Sequence, residues 1–200
     1  MGRAIHLNER SVHPYRFFGL LGIFLVFGCA TALSFTASET AKVDNLLSLI
    51  GERLEVASEV ARNKWNTGTP IEDMPRERQI IEGVENRAAE YGLDSRTAGE
   101  FFAGQIEASK VVQRILHAEW ASKGQPSFEK VADLGKDIRP ALDRLTAAMM
   151  QSLVEVLPII QQPGGRRLLE ERSMGILAGH SWGRRPGARQ AMAPLLKLSQ

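Results

Sequence analysis

Residues 40–70 read TAKVDNLLSLIGERLEVASEVARNKWNTGTP, and this stretch decides the fold. Its apolar positions Val43, Leu46, Leu47, Ile50, Leu54, Ala57, Val60, Ala61 and Trp65 recur at steps of three and four. That is the period of a helix with one buried face, and Thr67-Gly68-Thr69-Pro70 ends it as a turn. Working outward, a second helix is expected from Asp73-Met74-Pro75, where proline is tolerated in the first turn. It runs through Ile80, Ile81, Val84 and Ala88 and stops at Gly92. Asp94-Ser95 caps a third helix, which carries Phe101, Phe102, Ile106, Val111, Val112, Ile115, Leu116 and Trp120 before Gly124 and Pro126. A fourth helical stretch covers about 130–161, with Pro140 and Pro158 as kinks or start signals. After Pro163-Gly164-Gly165, a short helix spans Arg166 to Ala178. Aromatic residues make up only 6% of the chain and no strand pattern competes, so the expected class is all-α, a helical bundle.

The two ends of the 200-residue chain differ from its body. Arg10 and Arg16 precede an uncharged run from Phe17 to Ala37. This is the positive-then-apolar order of an export signal, with Ala30-Thr31-Ala32 as a cleavage site. The run is also long enough to remain as a membrane anchor, and Cys29 follows Val26-Phe27-Gly28 as in a lipoprotein signal. Residues 1–37 are therefore expected to be a signal peptide or an uncleaved anchor, and 38–178 the working domain, placed in the periplasm or secreted. Residues 179–200 carry Arg184, Arg185, Arg189 and Lys197 with no acid, and four glycines or prolines before Ala193. They read as a loose basic tail. The net charge of +2 arises from these ends; the body 38–178 is net negative, so nothing points to nucleic acid. Nor does the domain itself call for a membrane unless the N-terminal segment is retained.

One cysteine excludes an intramolecular disulfide, and His6, His13, His117 and His180 are scattered, so no metal centre is expected. No nucleophile elbow, phosphate loop or dinucleotide fingerprint is present, and no cofactor is implied. What stands out is a set of polar residues among the apolar stripes. Arg53 and Lys64 lie 11 positions apart, within about 20° of alignment after three helical turns and separated by about 16 Å. Ser109 and Gln113 form an i,i+4 pair beside Ile106 and Val112. Arg76 sits in the first turn of the second helix, where the macrodipole disfavours a cation, and Arg139 precedes Pro140. Each of these could be a solvated surface charge. Several cations turned inward would instead need an anion to compensate them, and pattern alone reaches a helical cup for a small polyanion.

The sequence resembles the all-helical chorismate mutases, specifically the exported subclass. The strings that carry the resemblance are Glu52-Arg53-Leu54-Glu55-Val56-Ala57, Lys64-Trp65, Pro70-Ile71-Glu72-Asp73 with Arg76-Glu77, and Ala89-Glu90-Tyr91-Gly92-Leu93-Asp94. They continue with Phe101-Phe102, Gln105-Ile106-Glu107-Ala108-Ser109, Gln113 and Arg139-Pro140. The resemblance implies a [3,3] rearrangement of chorismate to prephenate, which needs no nucleophile or general base. It implies that Arg53, Arg76 and Arg139 grip the two carboxylates. Lys64 and Gln113 would be donors to the ether oxygen as its bond breaks. Glu77 would accept from the ring hydroxyl, and Ser109 would help seat a carboxylate. A homodimer with a complete site in each chain is implied as well. Two other functions stay open at this point: isochorismate-pyruvate lyase on the same scaffold, and a non-catalytic helical anion-binding protein. Many exported members have a C-terminal disulfide, which this chain cannot form.

Overall fold

The computed structural model describes residues 1–2, 34–182 and 186–200. The expected export segment and Cys29 therefore lie almost wholly outside the described residues, as do Arg184 and Arg185. The described residues from Ser34 onward belong to one compact unit.

Helix α1 spans Ala37–Thr67. Thr36 and Glu39 close a capping box at its start: the Glu39 amide donates to Thr36 Oγ1 at 3.1 Å, and the Thr36 amide donates to Glu39 Oε2 at 2.8 Å. Gly68 ends it with φ 66°, a left-handed turn that costs glycine nothing. Its apolar stripe is buried as expected, from Val43 through Leu46, Leu47, Ile50, Leu54 and Ala57 to Ala61. Helix α2 (Met74–Arg87) starts under an Asp73 cap with Pro75 in its first turn, and a tight turn over Ala88–Tyr91 carries it to Gly92. Helix α3 (Ser95–Ser122) starts under Asp94, whose carboxylate accepts from the Thr97 amide at 2.8 Å. Helices α4 (Arg139–Ile160) and α5 (Gly165–Ile176) follow. Pro140 is a start signal, and Pro158 sits in the last turn of α4. The core closes where α1 meets Phe101 and Phe102 of α3, Met149, Met150, Leu153 and Val156 of α4, and Leu168 and Leu169 of α5. No described residue is in a strand, and the class is all-α. No described helix is long and apolar enough to cross a membrane.

Two segments depart from the sequence reading. The stretch before Arg139 is not regular helix from residue 130. Residues 124–133 run irregularly along α1, held by Asn63 Nδ2 on the Ala132 carbonyl (3.0 Å) and by Asn66, which bonds both the carbonyl and the amide of Phe128 at 2.8 Å. One wide turn, Leu134–Ile138, then leads into α4, with Asp133 capping it through the amides of Gly135 and Lys136.

The larger departure is at the C-terminus. In place of a loose tail, helix α6 (Pro186–Leu198) packs along α3 with Ala188, Ala191, Met192 and Leu195 buried. Those four positions follow a helical step of three and four, and three glycines in the contacts that this C-terminal segment makes with α3 and α1 allow close approach. A Cβ on Gly104 would overlap the Pro194 ring, one on Gly187 would lie 2.8 Å from Val112, and one on Gly51 would overlap His180. Trp182 is buried, its indole N–H donating to Ser58 Oγ at 2.7 Å. Gly187, one of the residues that suggest looseness, is here a point of tight packing.

Candidate active site

A cavity of about 130 Å³ lies between α1, α2, α3 and the start of α4. All seven residues singled out in the sequence line it: Arg53, Lys64, Arg76, Glu77, Ser109, Gln113 and Arg139. A single chain supplies the complete set. Ile106 lines it beside Ser109 as expected, whereas Val112 turns to the opposite side, towards Gly187 of α6.

Arg53 reaches the cavity from the middle of α1, only 6% exposed. Its Nη1 lies 3.4 Å from Thr146 Oγ1, and its buried Nε has no hydrogen-bond partner. Burial pushes the guanidinium down to about 10, with the Asp143 carboxylate opposing the shift. Lys64, 8% exposed and three turns further along α1, donates to the Ile71 carbonyl at 2.7 Å. Burial lowers its ammonium from the ordinary lysine range, opposed by Asp73, Glu77 and Glu72. On α3, Gln113 Nε2 donates to Ser109 Oγ at 3.0 Å, and Gln113 Oε1 is buried without a partner.

The remaining cations are more open. Arg76 is half-buried, and its Nη1 donates to Gln79 Oε1 at 2.8 Å on the same helix. Arg139 is exposed at the mouth, delivered there by the wide turn.

Three lining residues escape a sequence reading. Asp143 and Thr146, one and two turns along α4 from Arg139, sit beside Arg53. Lys110 is 8% exposed in its side chain and bonds Glu77 Oε2 at 2.8 Å and Glu107 Oε1 at 2.6 Å. Burial pulls its ammonium down, but the bonds to Glu107 and Glu77 outweigh this and raise it above the ordinary value. A lysine in a helix is ordinarily a solvated charge. Its place 60° around the helix from Gln113 does not by itself set it apart; the fold does, by bringing it opposite Glu77, a carboxylate that sequence order does not pair with it. In total the cavity wall carries five cations (Arg53, Lys64, Arg76, Lys110, Arg139) against three carboxylates (Asp73, Glu77, Asp143). The excess of two positive charges suits a small dianion.

Comparison with known proteins bears on the fold and the family. The family described as chorismate mutase type II matches residues 38–114, which contain every singled-out site residue except Arg139. The chorismate mutase of Methanocaldococcus jannaschii is 32% identical over 85 residues, covering 42% of this chain and 86% of that protein. A secreted chorismate mutase of Mycolicibacterium smegmatis is 27% identical over 128 residues, 64% of this chain and 70% of that one. The crystal structure of chorismate mutase from Burkholderia phymatum superposes with a TM-score of 0.73 at 31% identity, covering 79% of this chain and 98% of that one. With that fold, that cavity and these relatives together, the chain belongs to the chorismate mutase type II family, a family of all-helical isomerases.

Proposed function

We propose that this protein rearranges chorismate to prephenate by holding the dianion in a compact shape and stabilising the charge that develops on its ether oxygen. The observation that carries the reading is Arg53: a buried cation whose Nε has no protein partner, facing a cavity with a positive excess. Such a charge is costly unless an anion completes it.

In this reading Arg53, Arg76 and Arg139 bind the carboxylates. Arg76 exchanges its bond to Gln79 for one of them. Holding the substrate near its reactive geometry supplies part of the acceleration. As the carbon–oxygen bond breaks, Lys64 and Gln113 donate to the ether oxygen. Lys64 has protons to spare beyond its bond to Ile71, and Gln113 has a second amide proton beyond its bond to Ser109. Because charge gathers on that oxygen only as the bond breaks, these contacts favour the transition state over bound substrate. Ser109 seats a carboxylate, and Glu77 accepts from the ring hydroxyl. Each chain holds its own site, so catalysis is independent of a dimer partner. The charged-then-apolar N-terminal order, together with relatives named as secreted, supports export of the domain.

The test is prephenate formation from chorismate by the purified protein without added metal, beside Lys64→Ala. We expect turnover in the parent and a loss of about 10²-fold or more in the variant. A parent inert towards chorismate yet active on isochorismate would replace this reading with the lyase. A parent inert towards both would leave anion binding alone.

A further inference from the structure

Lys110 is a buried cation of the cavity wall held between two carboxylates, Glu77 and Glu107. Glu107, the partner on its own helix, is about half exposed and does not line the cavity; Glu77, the partner across it, does. The Glu77 carboxylate is fixed from two elements. Its Oε2 accepts from Lys110 on α3, and its Oε1 accepts from the Asp73 amide, at 3.2 Å, at the start of α2. A carboxylate offers about four lone-pair directions, so these two donors fix the rotation of the group and leave acceptor capacity directed elsewhere. Glu77 itself lies in the cavity wall with its side chain only 14% exposed. The arrangement has the form of an acceptor aimed by a second residue.

We propose that Lys110 is a positioning residue for Glu77, holding its carboxylate so that the enzyme favours a substrate whose ring hydroxyl can donate to it. The inference rests on the reading of the cavity as a chorismate mutase site. Glu77 is the group that meets the hydroxyl, and Lys110 acts through it. Without the ammonium, the carboxylate keeps only the 3.2 Å amide bond and is free to rotate towards solvent or towards the neighbouring cations.

The experiment compares the full-length parent with Lys110→Met on two substrates: chorismate, and chorismate with its ring hydroxyl methylated, which cannot donate. The expected result is a drop in kcat/KM of about tenfold on chorismate, the size of a hydrogen bond to a charged acceptor. On the methyl ether the same substitution should cost less than about twofold. A role confined to folding would lower both substrates by the same factor, and that result, or no loss on either, overturns the proposal. Lys110→Gln, neutral but able to donate, should recover part of the preference for the free hydroxyl, and it carries the same comparison should Lys110→Met not fold. A parent that turns over neither substrate overturns the underlying site reading along with this one, an outcome distinct from a parent that works and a variant that loses nothing selectively.

Discussion

The two faces of α3 use burial for opposite ends. Towards α6 it presents Gly104, Ala108 and Val112, small or apolar, in close contact with Gly187 and Pro194. Towards the cavity, half a turn away, it presents Ser109, Lys110 and Gln113, with Gln113 Oε1 left unpartnered. The first face contributes stability by excluding water and filling space. The second gives stability up, since a buried polar atom without a partner costs about 1–3 kcal/mol. α1 repeats the contrast, with Leu54 and Ala57 in the core and Arg53 in the cavity. Residues adjacent in sequence thus serve the fold or the ligand according to the side on which they emerge. Substitutions on the two sides should separate activity from stability.

The sharpest separation is expected at Arg53. Its displacement from the ordinary arginine range down to about 10 corresponds to a cost of about 3 kcal/mol for keeping the charge buried. The sign follows from proton binding: below pH 10 both folded and unfolded chains carry the proton, so the folded state bears the whole penalty. Stability would rise only as pH passes above about 10, towards the ordinary arginine range, where the folded form has released the proton and the unfolded form has not. Arg53→Met removes the penalty and the carboxylate clamp together. We expect kcat/KM to fall by about 10³-fold or more, while the melting temperature of the free protein holds or rises by up to about 5 °C. A melting temperature that falls with activity would place Arg53 among the residues that hold the bundle.

Gln113 gives a pH-dependent form of the same contrast. A neutral amide donates at any pH, so kcat/KM should be flat between about pH 5 and 8. Gln113→Glu should become acid-dependent, losing about tenfold or more over that range as the carboxyl loses the proton it must donate. At the alkaline end the parent needs Lys64 protonated. Because burial lowers this group, activity should decline as pH rises from a point below the ordinary lysine value. A steep loss in the parent between pH 5 and 8 would remove Gln113 from the ether-oxygen role.

The same two-sidedness explains what the sequence discloses. The stripes of α1 and α3 are long and regular, so their period is unambiguous, and the cations that interrupt them stand out against it. Arg53 and Lys64 are legible for that reason, and Ser109 and Gln113 because an i,i+4 polar pair on an apolar helix is conspicuous. Lys110 is not legible. Its partner Glu77 is 33 positions away on another helix, and nothing local distinguishes it from a solvated lysine. Asp143 and Thr146 are hidden likewise, since their relevance depends on where the irregular segment 124–133 leaves the start of α4. Helix α6 is hidden for a different reason. Its buried face is mostly alanine and glycine, with Met192 and Leu195 the only large apolar residues on it, so it carries little hydrophobic contrast, and its prolines and glycines imitate a loop.

That last point sets up the smallest expected effect, and the one that bears most directly on the stabilising face. Gly104 lies within α3, where replacing glycine by alanine normally adds about 1 kcal/mol of helix propensity. Here the new methyl would overlap the ring of Pro194 and approach the Gln190 carbonyl at 3.8 Å. The proline ring is rigid and α6 is held by Gln105 Nε2 on the Ala191 carbonyl at 2.9 Å, so a helix must shift. Overpacking of this kind costs about 1–3 kcal/mol, enough to cancel or exceed the propensity gain. Gly104→Ala should therefore leave stability unchanged or lower the melting temperature by up to about 8 °C, with kcat/KM per folded molecule within about twofold of the parent. A clear rise in melting temperature would mean that α6 yields easily and is not the close-packed partner described above. A fall in kcat/KM without a fall in melting temperature would mean that displacement of α6 is transmitted through α3 to Ser109 and Gln113, and the two faces would no longer be independent.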